Sequence, residues 1–157
     1  MNITDFITVE FIEASVQSED KNSLFSELVG VLTRAMPAIE YEAALNAIID
    51  RENKMSTGLG KGVAIPHGKT EAVDTLCGVL GISKKGIEYD ALDGEPVHVV
   101  FMLLSPVVNS GPHIKALRRI AALLKDPGCY QRLCEASDAA EAYRLLRNDE
   151  ERMGEGD

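Results

Sequence analysis

His67 is the residue whose surroundings most favour chemistry. It lies in the tripeptide Pro66-His67-Gly68, directly after a short apolar run. Proline restricts its own φ and keeps the preceding residue extended, so the histidine is held at a rigid exit from a strand. Near pH 7 much of a histidine population is neutral, with a lone pair on one ring nitrogen, which suits nucleophilic attack and reversible phosphoryl transfer. The alternative interpretation is a capping or core histidine.

A glycine-rich segment precedes this histidine. Gly58, Gly60 and Gly62 alternate with larger residues between a predicted helix and a short strand. Such a loop can direct several N–H groups at one point and form a concave anion site. Ser56 and Thr57 are candidate hydroxyl donors to the same anion, or caps of the loop.

Two further residues follow His67 directly. Gly68 leaves room for a group to approach the ring, and Lys69 would add positive charge, although a solvated loop lysine is the alternative. The segment lacks the P-loop motif and the strand-then-helix context of a dinucleotide fingerprint, so nucleotide binding is weakly supported. The three histidines and three scattered cysteines lack metal-ligand spacing. We therefore expect no metal and no other cofactor.

Hydrophobic spacing predicts the elements that position these residues. A strand is expected over 9–16, then two helices, the first capped by Ser18 or Asp20 and ended by Pro37. Later elements are strands at 63–65, 76–82 and 97–104, turns at 85–86 and 93–94, and helices from 112, near 130–135 and near 139–146. The strand at 97–104 is apolar on both faces, which indicates a central position covered by helices on each side.

This order of elements, β-α-α-β-β-β-α-α-α, predicts an α/β fold. Its strands would form one mixed sheet between two helical layers, a three-layer αβα sandwich. A single domain over residues 1–147 is expected. Residues 148–157 carry five acids and one base, and we expect them to form a disordered, solvating tail.

A longer pattern surrounds the histidine. Arg51-Glu52 is followed by S-T-G-L-G-K-G-V-A-I-P-H over 56–67, then by D-G-x-P-V from Asp93 and by His113 opening a helix. From about residue 8 to 147, the chain resembles enzyme IIA of the sugar phosphotransferase system, fructose/mannitol type, a family that includes stand-alone nitrogen-regulatory proteins.

The resemblance implies that His67 accepts a phosphoryl group, on Nε2, from the phosphohistidine of the carrier HPr. It also places an arginine and a second histidine at the site, where Arg51 and His113 stand. A guanidinium suits phosphate oxygens; the alternative for Arg51 is a surface residue ending a helix. A first-turn position such as that of His113 favours an anion and disfavours protonation; the alternative is a helix cap.

Two roles within this family stay open. A sugar-specific subunit would pass phosphate to a cysteine of a IIB domain, whereas a nitrogen-regulatory protein would use its phosphorylation state to alter binding to target proteins. His67-Gly68-Lys69 resembles the regulatory members, although some fructose-type members share it, so we favour the regulatory role. A non-catalytic interaction module of the same fold is a third hypothesis, against which the intact Arg51, His67 and His113 argue.

Charge and composition disfavour several other classes. The net charge is −9 without a Lys/Arg cluster, which argues against nucleic-acid binding. The N-terminus lacks a basic, apolar leader, and the densest apolar run, 99–104, is too short to cross a membrane, so no direct membrane insertion is expected. An odd number of cysteines without a paired motif suits a reduced, cytoplasmic protein. His98, at the start of the apolar strand, is expected to be structural.

Overall fold

The protein, here a computed structural model, is described over residues 1–154. The helices in this range are α1 Lys21–Ala35, α2 Tyr41–Glu52, α3 Gly111–Leu123, α4 Pro127–Cys134 and α5 Ala139–Met153. The strands are β1 Ile12–Glu13, β2 Gly58–Gly60, β3 Val63–Ala64, β4 His67–Lys69, β5 Cys77–Ile87 and β6 Val97–Ser105. Two short 3-10 turns, Ile3–Asp5 and Val9–Phe11, precede β1.

These strands form one mixed sheet of order β1-β5-β6-β3-β2, with β4 also paired to β6. β5 and β6 are antiparallel, whereas β3 and β4 both run parallel to β6. Since β5 occupies one edge of β6, β3 and β4 lie end to end along the other. The chain therefore runs along the centre of the sheet into His67, which pairs with Leu103.

Strand β6 has the central position that its sequence predicts. Val100, Met102 and Leu104 belong to an apolar cluster with α1 and α2. The alternating residues Val99, Phe101 and Leu103 belong to a second cluster with α3, α4 and α5. Because successive strand residues point to opposite faces, both faces of β6 are covered by helices. The predicted αβα sandwich with a mixed sheet is confirmed.

Local structure departs from the sequence prediction in the short segments. The expected opening strand shrinks to two residues because Val9–Phe11 forms a 3-10 turn. β2 and β4 are not predicted, since each has three residues and depends on pairing with a distant segment. The predicted turn at Lys85-Gly86 lies inside β5, where the register with β6 shifts and Gly86 takes a φ of +96°.

The acidic C-terminal segment also differs from the prediction. Helix α5 continues to Met153, so the expectation of disorder is wrong for residues 148–153. The physical reason is that two of its acids face inward. Asp149 pairs with Arg132 at 2.7 Å, and the Glu150 carboxylate accepts the Ile3 N–H at 2.7 Å. The remaining part of the predicted tail, 155–157, lies outside the described residues.

Candidate active site

His67, the first residue of β4, is fixed by both its backbone and its ring. The carbonyl of the preceding Pro66 accepts the Leu103 N–H at 2.9 Å, which anchors the chain to β6. The ring Nδ1 lies 2.8 Å from the Ile65 carbonyl oxygen. Because a carbonyl can only accept, the neutral ring carries its proton on Nδ1 and its lone pair on Nε2. The side chain is partly exposed, so Nε2 belongs to a ring that solvent reaches.

His113 lies beside it, in the first turn of α3 as predicted. The two ring centroids are 5.2 Å apart, and the ring planes are tilted by 56°. The His113 ring is buried, and its Nδ1 is 2.8 Å from the hydroxyl of Ser105, the last residue of β6. The ends of two neighbouring strands and one helix N-terminus thus bring the imidazoles together.

Both rings favour the neutral state. Burial lowers the pKa of His67, and the charge of Arg51 lowers it further, against opposing effects of the Ile65 hydrogen bond and of Glu52. Burial also lowers the pKa of His113 to about 4, with His67 and Lys69 acting in the same direction. At pH 7 the site therefore offers an uncharged nucleophilic nitrogen beside a second uncharged imidazole.

Two cations adjoin the pair. Arg51, in the last turn of α2, donates from Nη1 to the Met55 carbonyl at 2.9 Å, which restrains its guanidinium. Helix α2 packs directly against β4, and the charge of Arg51 lowers the pKa of His67. Lys69 ends β4, is exposed, and stands opposite Ser105 in the strand register. Positive charge is thereby supplied from α2 and from the histidine's own strand.

The glycine-rich loop uses its polar groups internally. The Ser56 hydroxyl accepts the Gly58 N–H at 3.1 Å, and the Thr57 N–H donates to the Glu52 carboxylate at 3.0 Å. A Cβ added at Gly58 would meet atoms of Ala91 and Tyr89, and a Cβ added at Gly60 would meet the side chain of Asp93. These four residues thus make contacts within the loop and with neighbouring segments, and their role as phosphate ligands stays a prediction.

Gly68 has a packing role that the sequence analysis does not predict. A Cβ added there would lie 2.6 Å from the Ala47 carbonyl oxygen of α2, which is far inside van der Waals contact. The absence of a side chain lets β4 lie directly against α2. Gly68 thus sets the distance between the strand of His67 and the helix of Arg51.

The sequence analysis assigns no role to two residues near the imidazoles. Ser105 ends a long apolar run before a proline, and only the fold brings it to His113. Glu52 follows Arg51, and its buried position gives it four hydrogen-bond donors. His98 is structural, as predicted, and donates from Nδ1 to the Ser83 carbonyl at 2.8 Å.

Residues 1–154 offer neither a metal site nor a membrane-spanning helix. No three His, Cys, Asp or Glu side chains in this range come together in a way that could hold a metal ion. None of the described helices combines the length and the apolar character that crossing a bilayer requires.

Sequence relatives carry the names of two kinds of protein. The fructose-specific EIIABC component of Bacillus subtilis is 38% identical over 136 residues, which are 87% of this chain but only 21% of that protein. A nitrogen regulatory protein of Bradyrhizobium diazoefficiens is 34% identical over 146 residues, which are 93% of this chain and 95% of the relative.

Solved structures share the fold. Nitrogen regulatory protein IIA-Ntr from Neisseria meningitidis superposes with a TM-score of 0.84 at 30% identity, covering 92% of this chain and 98% of the other. IIA mannitol from Escherichia coli gives a TM-score of 0.73 at 24% identity, over 87% and 96% of the two chains. Residues 5–149 match the sequence family described as phosphoenolpyruvate-dependent sugar phosphotransferase system, EIIA 2. The chain belongs to this EIIA family.

Proposed function

We propose that this protein is a phosphohistidine carrier of the nitrogen-regulatory type, phosphorylated on Nε2 of His67 by an HPr-like phosphocarrier protein. The observation that carries the proposal is the hydrogen bond from Nδ1–H to the Ile65 carbonyl, which leaves the lone pair on Nε2. In the transfer, an N–P bond forms at Nε2 while the donor's N–P bond breaks and returns its electron pair to the donor ring.

The surrounding groups would stabilise the transferred phosphoryl group. Charge in such a transfer spreads over the equatorial oxygens, so positioning and electrostatics dominate catalysis. Arg51 and Lys69 supply positive charge, and the N-terminus of α3, where no side chain caps the helix, supplies backbone N–H groups. With Nδ1 of His113 bonded to the Ser105 hydroxyl, its Nε2 is the nitrogen available to a phosphoryl oxygen or to His67.

A protein partner suits this site. Met55, Val107, Val108 and Ile114 are exposed and lie in segments that adjoin Arg51, Ser105 and His113. Apolar side chains grouped around a polar centre are typical of protein–protein contacts. Such a surface would dock a phosphorylated carrier protein more readily than a small sugar phosphate.

The regulatory role is favoured by overall similarity. The chain covers 95% of a relative named as a nitrogen regulatory protein, and its TM-score with IIA-Ntr is 0.84. The second candidate is a sugar-specific IIA subunit that passes phosphate to a IIB cysteine. It is favoured by the 38% identity to the fructose-specific protein of Bacillus subtilis.

Mass measurement after incubation with phosphoenolpyruvate, enzyme I and HPr tests the carrier function. We expect one acid-labile, base-stable phosphoryl group, absent in His67→Ala and present in the control His98→Gln, which removes a histidine outside the site. Subsequent transfer to a fructose-type IIB domain would favour the sugar role. No phosphorylation by a cognate HPr would contradict the proposal and favour a non-catalytic interaction module.

A further inference from the structure

We propose that Glu52 is a positioning residue for phosphoryl transfer, whose buried carboxylate supports both Arg51 and the ring of His67. The inference rests on the proposed function. Glu52 itself does not touch the reacting nitrogen, and it acts through the turn that follows α2 and through the glycine-rich loop.

The Glu52 carboxylate joins three separate parts of the chain. Its side chain is 4% exposed, and Oε2 lies 3.0 Å from Nζ of Lys21 on α1. The same oxygen accepts the Thr57 N–H at 3.0 Å. Oε1 accepts the Thr57 hydroxyl and, at 3.1 Å, the hydroxyl of Tyr89, which follows β5. The Lys21 ammonium also lies 4.9 Å from the centre of the Tyr89 ring.

This set of donors keeps the carboxylate ionised. Burial alone would raise the pKa of Glu52, but the hydrogen bonds from Thr57 and the ammonium of Lys21 lower it below its ordinary value. A buried anion held by several donors is a rigid fixed point, because removing any partner leaves an unsatisfied group.

One connection leads from Glu52 to Arg51. The turn over residues 53–56 is closed at its far end by the two hydrogen bonds between Thr57 and Glu52. Inside this turn, the Met55 carbonyl holds the Arg51 guanidinium at 2.9 Å. The position of that carbonyl, and therefore of the guanidinium, depends on the anchored Thr57.

A second connection leads from Glu52 to His67. The carbonyl of the anchored Thr57 accepts the Ile65 N–H at 3.0 Å. The Ile65 carbonyl in turn accepts Nδ1–H of His67 at 2.8 Å, the bond that fixes the tautomer. Three consecutive hydrogen bonds thus link the buried carboxylate to the nucleophilic ring.

Substitution of Glu52→Gln tests this arrangement with little change in shape. We expect phosphorylation of His67 to slow by about tenfold or more, because small displacements of positioned groups have large effects on rate. Nitrogen chemical shifts of the unphosphorylated protein should show that His67 no longer populates the Nδ1–H tautomer alone. Glu42→Gln, an exposed glutamate at the other end of α2, is the matched control and should change neither quantity.

A double-substitution cycle separates positioning from general loss of stability. If Glu52 acts partly through Arg51, the two substitutions will not be independent. The phosphorylation rate of the double variant Glu52→Gln/Arg51→Gln, relative to the wild-type protein, will then exceed the product of the relative rates of the two single variants. Should Glu52→Gln fold poorly, Tyr89→Phe removes one of four donors, keeps the carboxylate, and should give a smaller change in the same direction.

Results that contradict the role of Glu52 differ from results that contradict the proposed carrier function. An Nδ1–H tautomer of His67 that is unchanged in Glu52→Gln would overturn the inference, even if the wild-type protein accepted no phosphate. A wild-type phosphorylation rate in Glu52→Gln would overturn it as well. Absence of phosphorylation in every variant would instead count against the proposed function.

Discussion

At the scale of single residues, the two imidazoles differ in what their Nδ1 atoms contact. Nδ1 of His67 meets a carbonyl, which only accepts, whereas Nδ1 of His113 meets the Ser105 hydroxyl, which both donates and accepts. The first ring is therefore restricted to one neutral tautomer. The second ring can either donate to the serine hydroxyl or accept from it, so His113 can change its tautomer when a phosphoryl oxygen binds.

Replacement of Ser105 by alanine tests this contact. Loss of one buried hydrogen bond costs about 1 kcal/mol, so we expect phosphorylation of His67 to slow by about fivefold. Ser110→Ala is the control, because Ser110 precedes α3 and its side chain makes no capping bond. Equal rates for Ser105→Ala and the wild-type protein would show that Ser105 does not orient His113.

The lowered pKa of His113 predicts a pH dependence of stability. In the unfolded chain its pKa returns to about 6.5, so below that pH the unfolded chain binds a proton that the folded protein excludes. The free energy of unfolding contributed by the neutral ring is thus fully present above about pH 6.5 and decreases as the pH falls towards 4. Urea unfolding at about pH 7.5 and about pH 5 should show a larger decrease for the wild-type protein than for His113→Gln. Equal decreases would contradict the prediction.

The residues differ in how far the sequence alone identifies them. His67 lies in a local Pro-His-Gly signal, and the family pattern adds Arg51 and His113. The pattern includes Glu52 but gives it no role, and it does not include Ser105. Their contacts with Tyr89, 37 positions from Glu52, and with His113 depend on how the chain folds. The glycines are conspicuous in the sequence, but their contacts with Ala91, Asp93 and Ala47 require the folded structure.

At the scale of elements, the contact between β4 and α2 determines where the cation and the nucleophile stand. The long helices and β6 are predictable because their apolar periodicity is strong. β4 is not, because a three-residue strand of sequence His-Gly-Lys is held by its pairing with β6 and not by its own propensity. The site is built on this less predictable element.

Substitution of Gly68→Ala should push strand β4 away from helix α2. The added methyl group would overlap the Ala47 carbonyl, so we expect a loss of about 1–3 kcal/mol in the free energy of unfolding. Gly30→Ala in α1 is the matched control, since nothing lies within 4 Å of its added Cβ. That change should stabilise the protein by about 0.5–1 kcal/mol through helix propensity. Urea unfolding measures both, and equal effects would contradict the packing role of Gly68.

At the scale of the whole molecule, the two ends of the described chain are joined. Glu150 of α5 accepts hydrogen bonds from the N–H groups of Ile3 and Thr4, and it pairs with Arg119 of α3 at 3.1 Å. Helix α3 also carries His113. The N-terminal turn, the C-terminal helix and the helix of the second imidazole therefore share one buried carboxylate.

Removal of this carboxylate should destabilise the whole molecule. Breaking a buried ion pair by removing one partner costs about 3–5 kcal/mol, so Glu150→Ala should lower the unfolding free energy by about that amount. The neighbouring Glu151 is exposed and pairs with Arg147 at 3.5 Å, and Glu151→Ala should change stability by less than about 0.5 kcal/mol. Thermal unfolding of both variants checks the difference, and similar melting temperatures would indicate that the C-terminal segment contributes little.

The pairing of His67 with Leu103 has a consequence for signalling. A residue whose backbone is part of a central sheet cannot move far when its ring is modified. Phosphorylation would therefore leave the shape of the molecule almost unchanged and add up to two negative charges at one fixed point. Any target that distinguishes the two forms would have to sense the local electrostatic potential, and its discrimination should weaken as salt concentration rises.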